Sequence, residues 1–261
     1  MIEDVKKIVY RNIKGVTRIS EVNVGASIAS VYKIDTFSNS NYYLKVQEKS
    51  IHYKSLSNEE KAIKWINNRL VTPRMKFYYE SEKHEYLCLT EVVGCNFDIA
   101  KTHLSIEDAI GLYARSLKAL HMLPVENCYV RNDLDNKLYQ AKISIQKDLV
   151  DHNDLEEEYK IYTPQELYDH MTTMVPKDQE YVFTHGDYCF DNLIYTPEKK
   201  LGYIDISNGG IADRYQDIAL AVRSIKHEFG EKYLDLFYKS YGIDKVDEKK
   251  IEFYILLDEF S

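Results

Sequence analysis

Apolar and polar positions alternate with a short period over the first ninety or so residues. Residues 17–24, 30–36 and 41–46 are rich in β-branched and aromatic side chains, and a Ser-Asn turn precedes the third run. This is the pattern of half-buried strands. The period then lengthens, with Ala62, Ile63, Ile66 and Leu70 on one helical face. Ser57-Asn58-Glu59-Glu60 reads as a capping box ahead of them. Pro73 ends that region, and residues 75–79 and 86–92 return to strand character. The expectation is strands around one helix, preceded by a charged amphipathic segment at residues 1–12.

After Val93-Gly94 the pattern turns helical. Ser105 is placed to cap a segment in which Ile106, Ile110, Tyr113, Leu117 and Leu120 recur at helical spacing. Residues 136–149 repeat that pattern. Thr163-Pro164-Gln165-Glu166 combines a capping hydroxyl, a proline at the first helical position and a glutamate three residues after the cap. Residues 181–206 read as strands, and the chain is helical again from Asp217. No internal repeat or long linker interrupts this order. It predicts an α+β fold of two lobes, a small β-rich one over residues 1–92 and a larger helical one over residues 93–261 that carries a hairpin.

Composition narrows the class. The 261 residues are 44% hydrophobic and 29% charged, enough to bury a core without disulfide or metal staples. Cys88, Cys95, Cys128 and Cys189 form no CxxC pair, which points to a reducing compartment. No apolar run approaches the ~18 residues of a membrane span, and the first residues lack a signal peptide's apolar stretch. The expected location is the cytoplasm. Net charge is −8, from 34 basic and 42 acidic residues. An acidic balance serves solubility, and in a cleft it attracts cations. No basic stripe interleaved with aromatics suggests nucleic acid, and no obligate protein partner is evident.

The densest chemistry lies in HGDYCFDNLIY (185–195) and GYID (202–205). A polar turn, Thr196-Pro197-Glu198-Lys199-Lys200, separates two apolar strands. A hairpin centred between Glu198 and Lys199 sets Asn192 opposite Asp205, bringing an amide oxygen and a carboxylate to its open end. Asp187 precedes them on a loop. Phosphoryl transfer requires hard oxygen ligands for Mg²⁺ and a carboxylate that orients the attacking hydroxyl. The interval from Asp187 to Asn192 is the one protein kinases use between base and metal ligand. Upstream, Lys45 ends a strand and Glu59 or Glu60 starts a helix, the pairing that holds a phosphate-binding lysine. The turn over residues 25–30 offers backbone N–H groups but no Walker A pattern.

These blocks resemble the aminoglycoside 3′-phosphotransferases (kanamycin kinases), which have a protein-kinase-like fold. The likeness runs through SVYKI (30–34), YYLKV (42–46), KWINNRL (64–70), HGDYCFDNLIY, GGIADRYQDIALAVRSI (209–225) and YILLDEF (254–260). It implies that Asp187 orients the sugar hydroxyl and that Asn192 and Asp205 hold magnesium. It also implies that Lys45 grips the α- and β-phosphates with Glu59 as partner, and that Ser27 sits in the phosphate-covering loop. Tyr43 would stack on adenine, with the backbone at Thr90 and Val92 hydrogen-bonding it. The donor would be ATP, with GTP as the alternative.

Aminoglycosides are polycations, and the resemblance raises two acidic segments as their site: Glu157 and Glu158 in the run 156–158, and Asp258 and Glu259 with the terminal carboxylate of Ser261. One position departs from the family pattern. Asn208 stands where relatives carry an arginine, and it supplies neither that charge nor its fork of donors. Arg214 and Arg223 are the candidates to compensate. The expected function is transfer of the γ-phosphoryl of ATP to an aminoglycoside 3′-hydroxyl. The alternatives are a kinase for another hydroxylated or cationic metabolite, and a degenerate nucleotide-binding module.

Overall fold

A computed structural model describes residues 2–22, 29–38, 40–49, 55–153 and 155–260. Ser27, with most of the expected phosphate-covering turn, and Ser261 lie outside the described residues. The chain begins with helix α1 (Ile2–Asn12), strands β1 (Val16–Val22), β2 (Ser30–Thr36) and β3 (Tyr42–Glu48), helix α2 (Leu56–Ile66), and strands β4 (Met75–Glu80) and β5 (His84–Thr90). The strands form one antiparallel sheet in the order β1-β2-β3-β5-β4.

Strand alternation sorts the side chains onto two faces. Tyr32, Ile34, Leu44, Val46, Tyr86 and Cys88 cluster with Val5 and Val9 of α1 and Ile13 just after it. The amphipathic N-terminal segment is therefore a helix, and the expectation of one helix among these strands is corrected to two. An apolar sheet face needs a cover, and α1 supplies it. On the other face Leu87 and Leu89 pack against Leu56 and Ile63 of α2.

The start of α2 is also corrected. Ser55, not Ser57, is the N-cap, accepting the Ser57 N–H at 3.0 Å. Glu59 thus sits within the helix, its side chain released from any capping box. The helix ends at Ile66, and Asn68 takes a left-handed φ of 65°, which leaves Leu70 outside it.

The remainder comprises β6 (Cys95–Asn96), α3 (Phe97–Ala100), α4 (Ile106–His121), α5 (Leu134–Gln146), α6 (Pro164–Thr172), β7 (Tyr181–Thr184), β8 (Leu193–Tyr195), β9 (Leu201–Tyr203), β10 (Gly210–Asp213), α7 (Tyr215–Glu228), α8 (Leu234–Tyr241) and α9 (Glu248–Asp258). Ser105 caps α4 through the Asp108 N–H, and Thr163 and Glu166 form the reciprocal capping box of α6. Asp133 caps α5, so that helix begins earlier than its apolar pattern. α4 packs on α8 and α7 on α9. β7 pairs with β10, while β6, β8 and β9 form a three-stranded sheet. Among the described residues no helix is long and apolar enough to cross a membrane.

The aromatic core of this second part supports the loop between β7 and β8. Tyr113 and Tyr188 are fully buried and stack at 4.6 Å between ring centroids. Each hydroxyl donates to the other's backbone carbonyl at 2.8 Å, so neither buried O–H is left unpaired. Trp65 of α2 stacks on Phe183 of β7 at 4.4 Å, joining the sheet part to the helical part directly behind that loop.

Candidate active site

The hairpin β8–β9 pairs Leu193 with Tyr203, Ile194 with Gly202 and Tyr195 with Leu201. The centre therefore falls on Glu198, and the expected pairing of Asn192 with Asp205 is corrected. Asn192 stands opposite Ile204, whose N–H donates to the Asn192 carbonyl at 3.0 Å. The cause is a tighter turn than the polar run suggested. Lys199 adopts a left-handed φ of 58°, and its N–H donates to Thr196 O at 2.9 Å. A one-residue slip alone would send Asp205 to the opposite face of the ladder. Asp205 instead leaves the ladder with a φ of 56°, a conformation aspartate tolerates better than most residues. That kink brings its carboxylate to Lys45.

Lys45 lies on β3 with its ammonium between two acids. Nζ donates to Glu59 Oε1 and Oε2 at 3.0 and 2.8 Å and to Asp205 Oδ1 at 2.9 Å. The Glu59 side chain is fully buried, whereas Asp205 is 38% exposed toward the cleft. Burial opposes the Lys45 charge, but the Glu59 and Asp205 carboxylates outweigh it and hold the ammonium above its ordinary pKa. Burial likewise opposes the charge on Asp205. Lys45 outweighs it, aided by His185 and the Ser207 hydroxyl, and the carboxyl stays below the usual range.

Asp187 is half-buried at the mouth of the same cleft. Asn192 Nδ2 donates to Asp187 Oδ2 at 2.8 Å and to its carbonyl at 3.0 Å. With the side-chain nitrogen turned to Asp187, the side-chain oxygen Oδ1 of Asn192 is left outside that contact. Burial raises the Asp187 pKa, and the charges of Asp258 and Asp205 add to it against the lowering by His185 and Asn192.

Residues that the sequence reading did not single out fix this loop. Asp217 of α7 accepts the His185 N–H at 2.6 Å and the Gly186 N–H at 2.8 Å. Its Oδ2 also meets His121 Nε2 at 3.0 Å, and His121 Nδ1 meets the Tyr241 hydroxyl at 2.7 Å. Gln216 Nε2 donates to Gly186 O at 3.1 Å, and Asn132 Nδ2 donates to Asn208 O at 2.5 Å. The signal for Asp217 was an acid directly before the apolar run Ile218-Ala219-Leu220-Ala221-Val222 of the same helix, because a carboxylate buried there requires partners.

On the same sheet, Tyr43 is cross-strand neighbour of Lys33 and Leu89. Thr90 ends β5, and Val92 follows it. Between them Glu91 accepts from Lys33 Nζ at 2.8 Å and Asn41 Nδ2 at 2.7 Å, while its N–H donates to Asn41 O at 2.9 Å. The segment 90–92 is thereby tied to the chain ahead of β3 at the end of the sheet.

The acidic segments are brought together by Arg223 of α7. Its guanidinium reaches Asp258 at 2.5 Å, Glu259 at 3.3 Å and Glu156 at 3.9 Å. Glu259 is nearly enclosed and also accepts the Glu156 N–H at 3.0 Å. Glu157 is 90% exposed and paired with Lys160 at 2.6 Å, and Glu158 is exposed. Of the two arginines considered against Asn208, Arg214 is engaged by Glu180 at 2.9 Å and Arg223 by these acids.

A sheet-borne lysine clamped by a helix glutamate, with Asp205 just past the β8–β9 hairpin and Asp187 and Asn192 in the segment that leads into it, is the arrangement of a protein-kinase-like phosphotransferase. The chain belongs to the phosphotransferase enzyme family (APH), whose pattern it matches over residues 18–254. It is 36% identical over 247 residues to an aminoglycoside 3′-phosphotransferase of Niallia circulans, covering 94% of each chain. The crystal structure of a type VIII aminoglycoside 3′-phosphotransferase superimposes with a TM-score of 0.86 at 28% identity, covering 99% of this chain and 98% of that one. An aminoglycoside phosphotransferase of Streptomyces rimosus, in complex with ADP and streptomycin, shares the fold at a TM-score of 0.81 and 23% identity, covering 100% of this chain and 99% of the other.

Proposed function

We propose that this chain is an aminoglycoside 3′-phosphotransferase that moves the γ-phosphoryl group of ATP to the 3′-hydroxyl of kanamycin- and neomycin-type antibiotics and so confers resistance. The observation that carries the reading is the Lys45 ammonium bridging Glu59 and Asp205 at 2.8 and 2.9 Å beside the Asp187–Asn192 pair. The relatives named aminoglycoside 3′-phosphotransferase support the acceptor. Residues 1–92 are the nucleotide lobe in this reading, and residues 93–261 carry the chemistry and the antibiotic.

Lys45 holds the α- and β-phosphates, Tyr43 stacks on the base, and the backbone at Thr90 and Val92 reads its edge. GTP is the alternative donor. Asn192 and Asp205 fit Mg²⁺ by donor chemistry, since an amide oxygen and a carboxylate are the hard ligands that ion prefers. Bound there with the phosphates, the ion would neutralise charge developing on the transferring group. Asp187 orients the 3′-hydroxyl and accepts its proton as the oxygen–phosphorus bond forms and ADP departs. Catalysis is chiefly positioning and electrostatic stabilisation. Asp258, Glu259, Glu157 and Glu158 attract the amines. The site of action is the cytoplasm, where nucleoside triphosphates are available and where the four free cysteines remain thiols.

An ADP-release assay with kanamycin, neomycin and an aminoglycoside lacking the 3′-hydroxyl tests this reading, with ATP and GTP compared. The first two should turn over and the third should be inert. Asp187→Ala should abolish turnover with the fold intact; near-normal activity in that variant would sink the assignment.

A further inference from the structure

The α2 helix carries Glu59 to Lys45, so where α2 begins decides where the lysine is held. Its first turn is fastened by a buried acid from another element. Glu85, in β5, is 4% exposed, and strand alternation sets it on the same face as Leu87 and Leu89, beneath α2. Its carboxylate accepts the Leu56 N–H at 3.1 Å, the Ser55 hydroxyl, and the Tyr78 hydroxyl at 2.6 Å. Leu56 is the first residue of α2 and Ser55 its N-cap. A carboxylate here satisfies an orphan N–H at the end of the helix where negative charge is favoured. Glu59 lies one turn on, and its own grip on Lys45 uses both oxygens.

We propose that Glu85 is a positioning residue for nucleotide binding: by fastening the first turn of α2 to β5 it sets the reach of Glu59 and thereby the place of the Lys45 ammonium. The proposal rests on the reading of Lys45 as the phosphate-holding lysine. Ser55 alone caps one N–H, and the Ser55 hydroxyl is itself held by Glu85. Without the acid, the buried Leu56 N–H loses its acceptor, the part-buried Ser55 and Tyr78 hydroxyls are left with Ser57 Oγ and Glu80 Oε1, and the turn ahead of Glu59 is released. The acceptor site, built on α7, α9 and the 156–158 segment, has no share in this contact.

The test measures affinity for the Mg²⁺ complex of the non-hydrolysable ATP analogue adenylyl imidodiphosphate, and separately for kanamycin, by titration calorimetry on the full chain. Glu85→Ala should weaken the analogue about tenfold, the scale of one lost helix cap, and leave kanamycin affinity unchanged. Glu85→Gln keeps an acceptor oxygen and should lie within about threefold of the parent. If the alanine variant does not fold, Glu85→Asp keeps the charge but not the reach, and should still weaken the analogue alone. Parent-like analogue affinity in the alanine or aspartate variant, or equal losses for both ligands, overturns the proposal. Lys45→Ala separates the two layers of argument. If it leaves analogue affinity intact, the reading of Lys45 is what fails, and the role of Glu85 falls with it.

Discussion

Asp217 holds Gly186 by its backbone: Oδ1 accepts the Gly186 N–H at 2.8 Å, while Oδ2 takes the His185 N–H at 2.6 Å. The residue before Asp187 is thus tied to helix α7. Asp217→Ala leaves two buried N–H groups and His121 without their acceptor, which should cost roughly 3 kcal/mol in urea unfolding. Turnover should fall by about a hundredfold or more, because Asp187 loses its exact seat.

The same carboxylate gives the acid limb of stability. Burial opposes its charge, but His121 and the His185 charge and N–H outweigh burial and hold its pKa below the ordinary aspartate value. A lowered folded pKa contributes stability that is complete above the unfolded value and is lost as pH falls through the folded one. Unfolding midpoints followed from neutral pH into that acidic range should fall steeply in the parent and more shallowly in Asp217→Asn.

Asp187 shows the opposite sign. Burial, then the charge of Asp258, raises its pKa, so its contribution is complete below the unfolded value and is lost as pH rises through the folded one. Asp187→Asn should therefore have a higher Tm than the parent at neutral pH, while turnover disappears. A kcat–pH profile of the parent should lose activity on the acid side above the ordinary aspartate range.

Gly186 has a φ of +84°, and a Cβ built there would lie 2.0 Å from the Asn208 carbonyl oxygen. Backbone cannot yield as a flexible side chain can. Gly186→Ala should lower kcat by about a hundredfold or more, and thermal melting should show a loss of about 1–3 kcal/mol from the strained turn.

Lys199 offers a stabilising change. It is exposed in the hairpin turn with a φ of 58°, where a side chain carries a steric cost that glycine avoids. Lys199→Gly should raise stability by about 0.5–1 kcal/mol in urea titration, with kinetic constants unchanged.

Most of the strand and helix order was legible because strands and helices carry different periods, and because Ser105 and the Thr163–Glu166 box announce their helices. Spacing brought out Asp187 with Asn192, and strand and helix position Lys45 with Glu59, contacts the structure makes; the resemblance supplied their expected roles. What escaped was geometry that spacing does not carry. The hairpin register depended on a left-handed residue at Lys199, and the aim of Asp205 on its own left-handed kink. The cap of α2 sat two residues before the more complete-looking motif at Ser57. Asn132 and Glu85 act through backbone groups distant in sequence, and no local pattern marks a side chain whose partner is a remote N–H; Asp217 is marked only as an acid beside an apolar run, not by its partners.

If these acids receive the amines of the acceptor, as proposed, Arg223 bears on which solutes the site would select. The acids at Asp258, Glu259 and Glu156 already share one guanidinium, so an arriving amine competes with a resident cation rather than entering an open negative field. A monoamine offers one contact against that multidentate hold and is outmatched. A molecule carrying several ammonium groups on a rigid frame engages these acids together with others along the cleft. In that reading, selection would follow the number and spacing of charges on the solute.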